Sequence, residues 1–284
     1  TKIVARLGDP SSRRGALAVL AEVSAPAAAD QLIGLARNSS GDVRLEAIRA
    51  LGVTAGSASA AARARLTLGK LLKTRDRALR AAACTALASS AEASAARRRP
   101  AYWAAVELLR SRDQVVRGAC AMAAARLSPR LFARELYRVR RDRSRPVRLG
   151  LARGLRAVPG KDALGLLVSL SRSKDAEIRA RAARSLAARS EPEAAEAHRR
   201  LLADAEASVR RAALEGVPAS EIPRAALDDP SSDVRVLAVR KLVAAGRAEG
   251  LAVVLARRMD AADEAERLRL ACAWLSVRQA QGRR

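Results

Sequence analysis

Arginine is the residue type here best placed to do chemistry, and that chemistry is anion recognition. A guanidinium offers a planar fork of N–H donors that matches carboxylate and phosphate oxygens. The 284-residue chain has 54 Lys plus Arg against 29 Asp plus Glu, a formal net charge of +25. Arg outnumbers Lys 48 to 6, and Ala dominates the apolar residues. A GC-rich coding sequence gives both biases, so the charge imbalance carries more weight than the choice of Arg over Lys. The only histidine, His198, lies within Glu196-Ala197-His198-Arg199-Arg200 and reads as a surface helix residue. One histidine excludes most His-dependent catalysis and His-rich metal sites. No Walker loop, G-x-S-x-G elbow, dinucleotide fingerprint or paired-Cys zinc motif occurs. The residues therefore assign no catalytic group, metal or cofactor.

The positive charge is uneven. Residues 51–100 hold 10 basic against 2 acidic residues, 101–150 hold 12 against 4, and 151–200 hold 11 against 6. Residues 201–250 hold 7 against 8. Within the basic middle, Arg130, Arg134, Arg138 and Arg141 are spaced as successive turns of one helix, opposite an apolar stripe of Phe132, Leu136 and Val139. This spacing predicts a basic ridge, with Glu135 beside it. The tracts Arg97-Arg98-Arg99 and Arg140-Arg141-Asp142-Arg143-Ser144-Arg145 fall at joints, where a solvated turn and an anion contact are both open readings.

The elements that position these side chains come from a repeat. An aliphatic-Arg pair followed by an Ala-rich run recurs at Val43-Arg44, Leu79-Arg80, Val116-Arg117, Val147-Arg148, Ile178-Arg179, Val209-Arg210, Val234-Arg235 and Leu268-Arg269, with Arg13-Arg14 a degenerate first copy. The steps are 30, 36, 37, 31, 31, 31, 25 and 34 residues. Six positions before each anchor Arg stand Asn38, Thr74, Ser111, Asp142, Ser173, Asp204, Asp229 and Asp263, all turn or N-cap formers. Apolar residues at −1, +3, +4 and +7 trace one helical face. Small residues at +3 let neighbouring helices approach closely. A second amphipathic segment precedes each such helix, at residues 26–37, 98–110, 131–141 and 191–203 among others. Each repeat is thus helix, turn, helix, and must stack on its neighbours to bury its stripe. Cys84, Cys120 and Cys272 fall at +4, +3 and +3, reading as small core residues of a reducing compartment. Tyr102-Trp103 reads as a packing feature.

The register also defines a second candidate surface. The +5 row reads Arg49, Thr85, Met122, Arg153, Arg184, Glu215, Arg240 and Trp274, off the apolar stripe. Arg156, Arg181 and Lys241 lie close to it by helical spacing. Solvation of a helix face explains each of these singly; the row together suggests a discontinuous basic band.

The D-x-x-V-R-x-x-A-like core, as in Asp204-Ala205-Glu206-Ala207-Ser208-Val209-Arg210-Arg211-Ala212-Ala213 and Asp233-Val234-Arg235-Val236-Leu237-Ala238, resembles HEAT repeats, and is similar to the short bacterial HEAT-like, PBS-lyase-type repeats. The resemblance covers essentially the whole chain. It implies an all-α fold, a right-handed α-α superhelix of about nine helix-turn-helix repeats, as one solenoid over residues 1–284. It implies that the turn Asp and anchor Arg form a ladder between neighbours, giving Arg44, Arg80, Arg117, Arg148, Arg179, Arg210, Arg235 and Arg269 a structural role. Asn, Thr or Ser replaces the Asp in four repeats, where the ladder is expected to be incomplete. It also implies that the second helix, carrying the +5 row, lines the concave side. The chain starts inside a repeat, which points to a truncated first repeat or a longer protein.

Function is less determined, because such arrays serve many tasks. The leading expectation is a non-enzymatic scaffold whose basic central surface binds an acidic protein. The alternative is a nucleic-acid-binding solenoid that grips the phosphate backbone of duplex DNA. Aromatics are only 2% of the chain, which disfavours base stacking on single strands. DNA glycosylases and bilin lyases share the general repeat architecture, but no constellation specific to either is visible. No small-molecule substrate is evident. No run of about 18 uncharged apolar residues occurs to span a membrane, and the start lacks the apolar core of a signal peptide. The expected location is cytoplasmic.

Overall fold

The computed structural model describes residues 26–52, 58–89 and 95–245, with single positions 12, 15, 16, 19, 267, 271, 272 and 275. Seven repeat anchors, from Arg44 to Arg235, lie among them. Arg13-Arg14, Asp263, Arg269 and Trp274 lie outside the described residues.

Thirteen α-helices occur among the described residues: α1 (Pro26–Asn38), α2 (Gly41–Leu51), α3 (Ala58–Leu71), α4 (Arg77–Ser89), α5 (Ala95–Glu107), α6 (Gln114–Leu127), α7 (Pro129–Glu135), α8 (Arg145–Gly154), α9 (Lys161–Leu170), α10 (Ala176–Leu186), α11 (Pro192–Leu201), α12 (Ala207–Gly216) and α13 (Ser232–Ala244). The protein is all-α, a HEAT-like array of helical pairs. It divides into two compact units, Thr1–Leu167 and Val168–Arg284.

The repeat register explains where the anchor helices start. Asp76, Asp113 and Asp175, four residues before their anchors, accept backbone N–H groups at the starts of α4, α6 and α10, such as Val115 at 2.8 Å and Val116 at 3.1 Å on Asp113. Each cap contributes about 1 kcal/mol. Pro opens α7 and α11, where its missing N–H removes no helical hydrogen bond.

The expected apolar face is the core. At −1, Leu79, Val116, Val147, Ile178, Val209 and Val234 are buried, and Val43 is half-buried. At +3, Ala47, Ala83, Cys120, Leu151, Ala182, Ala213 and Ala238 are buried. At +7, Leu51, Leu87, Ala124, Leu155, Leu186, Val217 and Leu242 are buried. In the N-terminal unit α2, α4, α6 and α8 pack in succession as one layer, while α1, α3 and α5 pack in succession as another. In the C-terminal unit α10, α12 and α13 pack in succession, with α11 against α10 and α12.

The tightest approach is between α6 and α8. A Cβ added to Gly150 would lie 2.0 Å from the Gly118 carbonyl oxygen, and one on Gly118 would lie 2.3 Å from that of Pro146. Only glycine leaves room for this backbone contact.

Four expectations about the core need correction. Cys84 on α4 and Cys120 on α6 are buried, but they form a disulfide with Cα atoms 5.0 Å apart, inside the bridging range. Placing one at +4 and the other at +3 turns both toward the same interhelical seam. This bond removes one support for a reducing, cytoplasmic setting. Cys272, expected on the buried face, is exposed. Tyr102 is buried while Trp103 is 52% exposed, because adjacent helical residues point about 100° apart. His198 is half-buried rather than a plain surface residue: its Nε2 lies 3.0 Å from the Ala213 carbonyl, which the N–H donates to. Among the described residues no helix is long and apolar enough to cross a membrane.

Candidate anion-binding surface

Four of the anchor arginines, Arg117, Arg179, Arg210 and Arg235, are consumed by the fold. Arg117 Nη1 donates to the carbonyls of Ser111 (2.8 Å) and Arg112 (3.1 Å) in its own turn, while Nε donates to Asp142 of the next repeat at 2.9 Å. Arg179 repeats this on Ser173, Lys174 and Asp204, and Arg210 on Asp204, Ala205 and Asp229. Arg235 holds the carbonyls of Asp229 and Pro230. One guanidinium thus satisfies two turn carbonyls and a neighbouring acid.

The turns come in two forms. Where the −6 residue is Asp, it accepts the N–H two residues on, from Ser144, Glu206 or Ser231, and also the preceding repeat's Arg. Where it is Ser111 or Ser173, its hydroxyl accepts the same N–H, from Asp113 or Asp175, and the helix-capping Asp stands at −4. The serine cannot supply the inter-repeat acid. Arg80, whose partner by register is Ser111, keeps a buried Nε with no hydrogen-bond partner, and Arg44 turns its Nε to the Ala36 carbonyl at 3.0 Å. The ladder is broken where the sequence lacks Asp.

Burial works to raise the carboxyls of Asp142, Asp204 and Asp229, but hydrogen bonds from the turn and from the rung arginines outweigh it, so all three sit below the ordinary value.

The +5 row is less uniform than its register suggested. Arg184 donates to Glu215 at 2.5 Å and Arg181 reaches Glu177 at 3.4 Å. Lys241 donates to the carbonyls of Leu214, Glu215 and Val217 at 3.0, 2.8 and 2.6 Å, capping the end of α12. Met122 is buried, because α6 packs against neighbours on more than one side, and Arg153 is half-buried. Arg49, Arg156 and Arg240 are exposed.

The ridge is not one continuous α-helix. α7 ends at Glu135, a 3-10 turn covers Leu136–Arg138, and Arg141 lies in the following turn. The tighter turn keeps Phe132, Leu136 and Val139 buried and brings Arg138 onto Glu135 three residues back. Hydrogen bonding to Glu135 raises the Arg138 guanidinium further, and it also stacks 5.3 Å from the Tyr137 ring centre. Burial, reinforced by Glu135, pushes the Tyr102 hydroxyl up to about 12. Arg130, Arg134 and Arg141 are exposed and make no ion pair among the described residues.

The structure adds Arg126 at the end of α6, and it places Arg99, from the Arg97-Arg98-Arg99 tract read as a joint, within α5. Both are exposed, and neither is paired with an acid among the described residues. Arg126 sits nine positions after its anchor, beyond the rows that were aligned.

Charge differs sharply between the units. The N-terminal unit holds 32 basic against 12 acidic residues, and the C-terminal unit 22 against 17.

Comparison with known proteins agrees with this architecture. Residues 133–217 match the family model described as HEAT repeats. No curated protein sequence matches significantly. Among solved structures, the Schizosaccharomyces pombe condensin Cnd3–Cnd2 subcomplex is similar at a TM-score of 0.52 and 16% identity, over 96% of this chain and 40% of that one. Escherichia coli YibA gives 0.49 and 16% over 88% and 92% of the two chains. The CpcE–CpcF complex of phycocyanin lyase from Nostoc gives 0.47 and 20% over 97% and 93%.

Proposed function

We propose, from the HEAT-like fold and the HEAT-repeat match over residues 133–217, that the chain is a non-enzymatic scaffold that holds an acidic protein against the basic surface of its N-terminal unit. One observation carries the reading. Arg49, Arg130, Arg134, Arg141 and Arg156 are exposed without an acid partner among the described residues, in a unit with 32 basic against 12 acidic residues. In the C-terminal unit Arg181, Arg184, Arg189 and Arg211 each meet a glutamate. An exposed guanidinium without an internal acid keeps its full charge for a partner, and clustered ones steer acidic surfaces toward them. Arg138, already on Glu135, contributes less to this surface than its neighbours.

The test is capture of partners from nuclease-treated lysate by the wild-type chain and by an Arg130→Glu/Arg134→Glu variant, beside binding of random duplex DNA across a salt series. The scaffold reading expects a specific acidic protein that survives nuclease and is lost in the variant. Duplex binding that weakens steeply with salt, with no protein captured, would replace it with the DNA-backbone reading.

A further inference from the structure

We propose that the N-terminal unit contains a binding pocket for an organic phosphate, with the phosphoryl group held by Arg99 and Arg130, and with Arg126 and Arg156 adding positive field beside it. This goes beyond the scaffold reading and does not depend on it. It also departs from the sequence expectation that no small-molecule ligand is evident.

A cavity of about 510 Å³ lies where α6 ends and α7 begins, lined by Arg99, Leu127, Pro129, Arg130, Leu131 and Ala157 among others. Its size falls in the range of small-ligand sites, roughly 300–1,000 Å³. Arg126 and Arg156 immediately adjoin lining residues in sequence. The two lining arginines come from separate elements, α5 and α7, while Arg126 ends α6 and Arg156 lies in the 3-10 turn Leu155–Ala157. Among the described residues no carboxylate lines the cavity, and neither the two lining arginines nor Arg126 and Arg156 make an ion pair.

The packing forces this arrangement. Gly154 sits so close to α6 that an added Cβ would lie 2.8 Å from the Ala125 Cβ and 3.2 Å from the Met122 Cα. That contact brings the 3-10 turn against the end of α6, and with it Arg156 toward Arg126. Partial burial, and then repulsion from Arg156, lower the Arg126 guanidinium. An anion placed between them would relieve that repulsion.

The chemistry favours phosphate over carboxylate. A carboxylate accepts one planar fork, whereas a phosphoryl group presents oxygens in three directions and carries up to two charges. Guanidiniums from two different elements, with a second pair adjoining the wall, suit the second. The apolar wall of Leu127, Pro129, Leu131 and Ala157 leaves room for the organic part of an ester. The ester belongs either to a free metabolite or to a phosphorylated side chain of a partner.

The experiment is calorimetric titration of the full chain at constant ionic strength with phenyl phosphate, inorganic phosphate and benzoate. The expected order is phenyl phosphate tightest, with inorganic phosphate losing the apolar contact and benzoate losing the phosphoryl oxygens. Arg99→Ala and Arg130→Ala should each weaken phenyl phosphate about tenfold, the scale of one charge-assisted hydrogen bond. Arg172→Ala, an exposed site in the other unit, should leave it unchanged. Benzoate binding as tightly as phenyl phosphate, or both variants matching wild type, overturns the pocket. A phosphoserine peptide that binds more tightly than phenyl phosphate upholds it and assigns the ester to a partner; the reverse order upholds it and assigns a free metabolite. If phenyl phosphate fails to bind while capture of an acidic protein persists, the pocket falls and the scaffold reading stands.

Discussion

Arg179 and Asp204, 25 residues apart, meet through two parallel hydrogen bonds of 2.8 Å, Nε to Oδ2 and Nη2 to Oδ1. The same guanidinium holds the carbonyls of Ser173 and Lys174, so one side chain ties a turn to itself and to the next repeat. Both side chains are largely shielded, at 16% and 10% exposure.

Removing one partner therefore strands the other. Asp204→Ala should destabilise the protein by about 2–3 kcal/mol. Ser111→Asp should do the reverse, raising stability by about 1 kcal/mol by offering Arg80 the acid that its register lacks. Urea unfolding midpoints of the two variants check both signs.

The rung acids also set an acid limit. Their folded carboxyls titrate below the ordinary Asp value of 3.8, so the unfolded chain binds more protons in that window. Their stabilisation is fully present above 3.8 and is lost as pH falls through the lower folded values. Stability measured by urea unfolding should fall with pH in that window, and Asp204→Asn should flatten the slope.

His198 is a second titrating reporter. Burial lowers its folded value below 6.5, against the opposing effect of its bond to the Ala213 carbonyl. The unfolded chain takes up the proton first as pH falls, so the neutral ring stabilises the fold above 6.5 and that contribution is lost as pH falls through the folded value. As the single histidine, its ring resonance in proton NMR should titrate below 6.5 in the native protein and near 6.5 in urea.

Glycines at the helix seams should be unequal. Gly150→Ala drives a methyl into the Gly118 carbonyl and should cost about 3 kcal/mol. Gly165→Ala, on α9 with nothing within 4 Å, should stabilise by about 0.5–1 kcal/mol through the lower entropy of the unfolded chain. Thermal melts of the pair separate close approach from helix propensity.

The Cys84–Cys120 bond closes a 36-residue separation and should contribute about 3–4 kcal/mol. Unfolding with and without reductant should differ by that amount in wild type and by nothing in Cys84→Ala/Cys120→Ala.

Much of the fold was legible in the sequence because a repeat writes the same burial problem several times. The −1, +3 and +7 rows predicted the core, since 3.6-residue periodicity alone decides which side of a helix is apolar. The −6 row predicted which rungs close, because Asp142, Asp204 and Asp229 supply a carboxylate and Ser111 does not. The candidate surface was less legible. Spacing put Arg184 and Lys241 on an exposed band, but their roles depend on Glu215 and on the α12 carbonyls, which only helix packing brings within reach. Spacing likewise drew the ridge as one helix, whereas the chain tightens after Glu135. Local pattern thus determined the repeats, the buried face and the sign of the charge. Tertiary structure decided which arginines are neutralised, that two cysteines bond, and that Arg99 and Arg130 line one cavity. The physical reason is that charge pairing depends on distances between repeats, and periodicity within one helix carries no information about those.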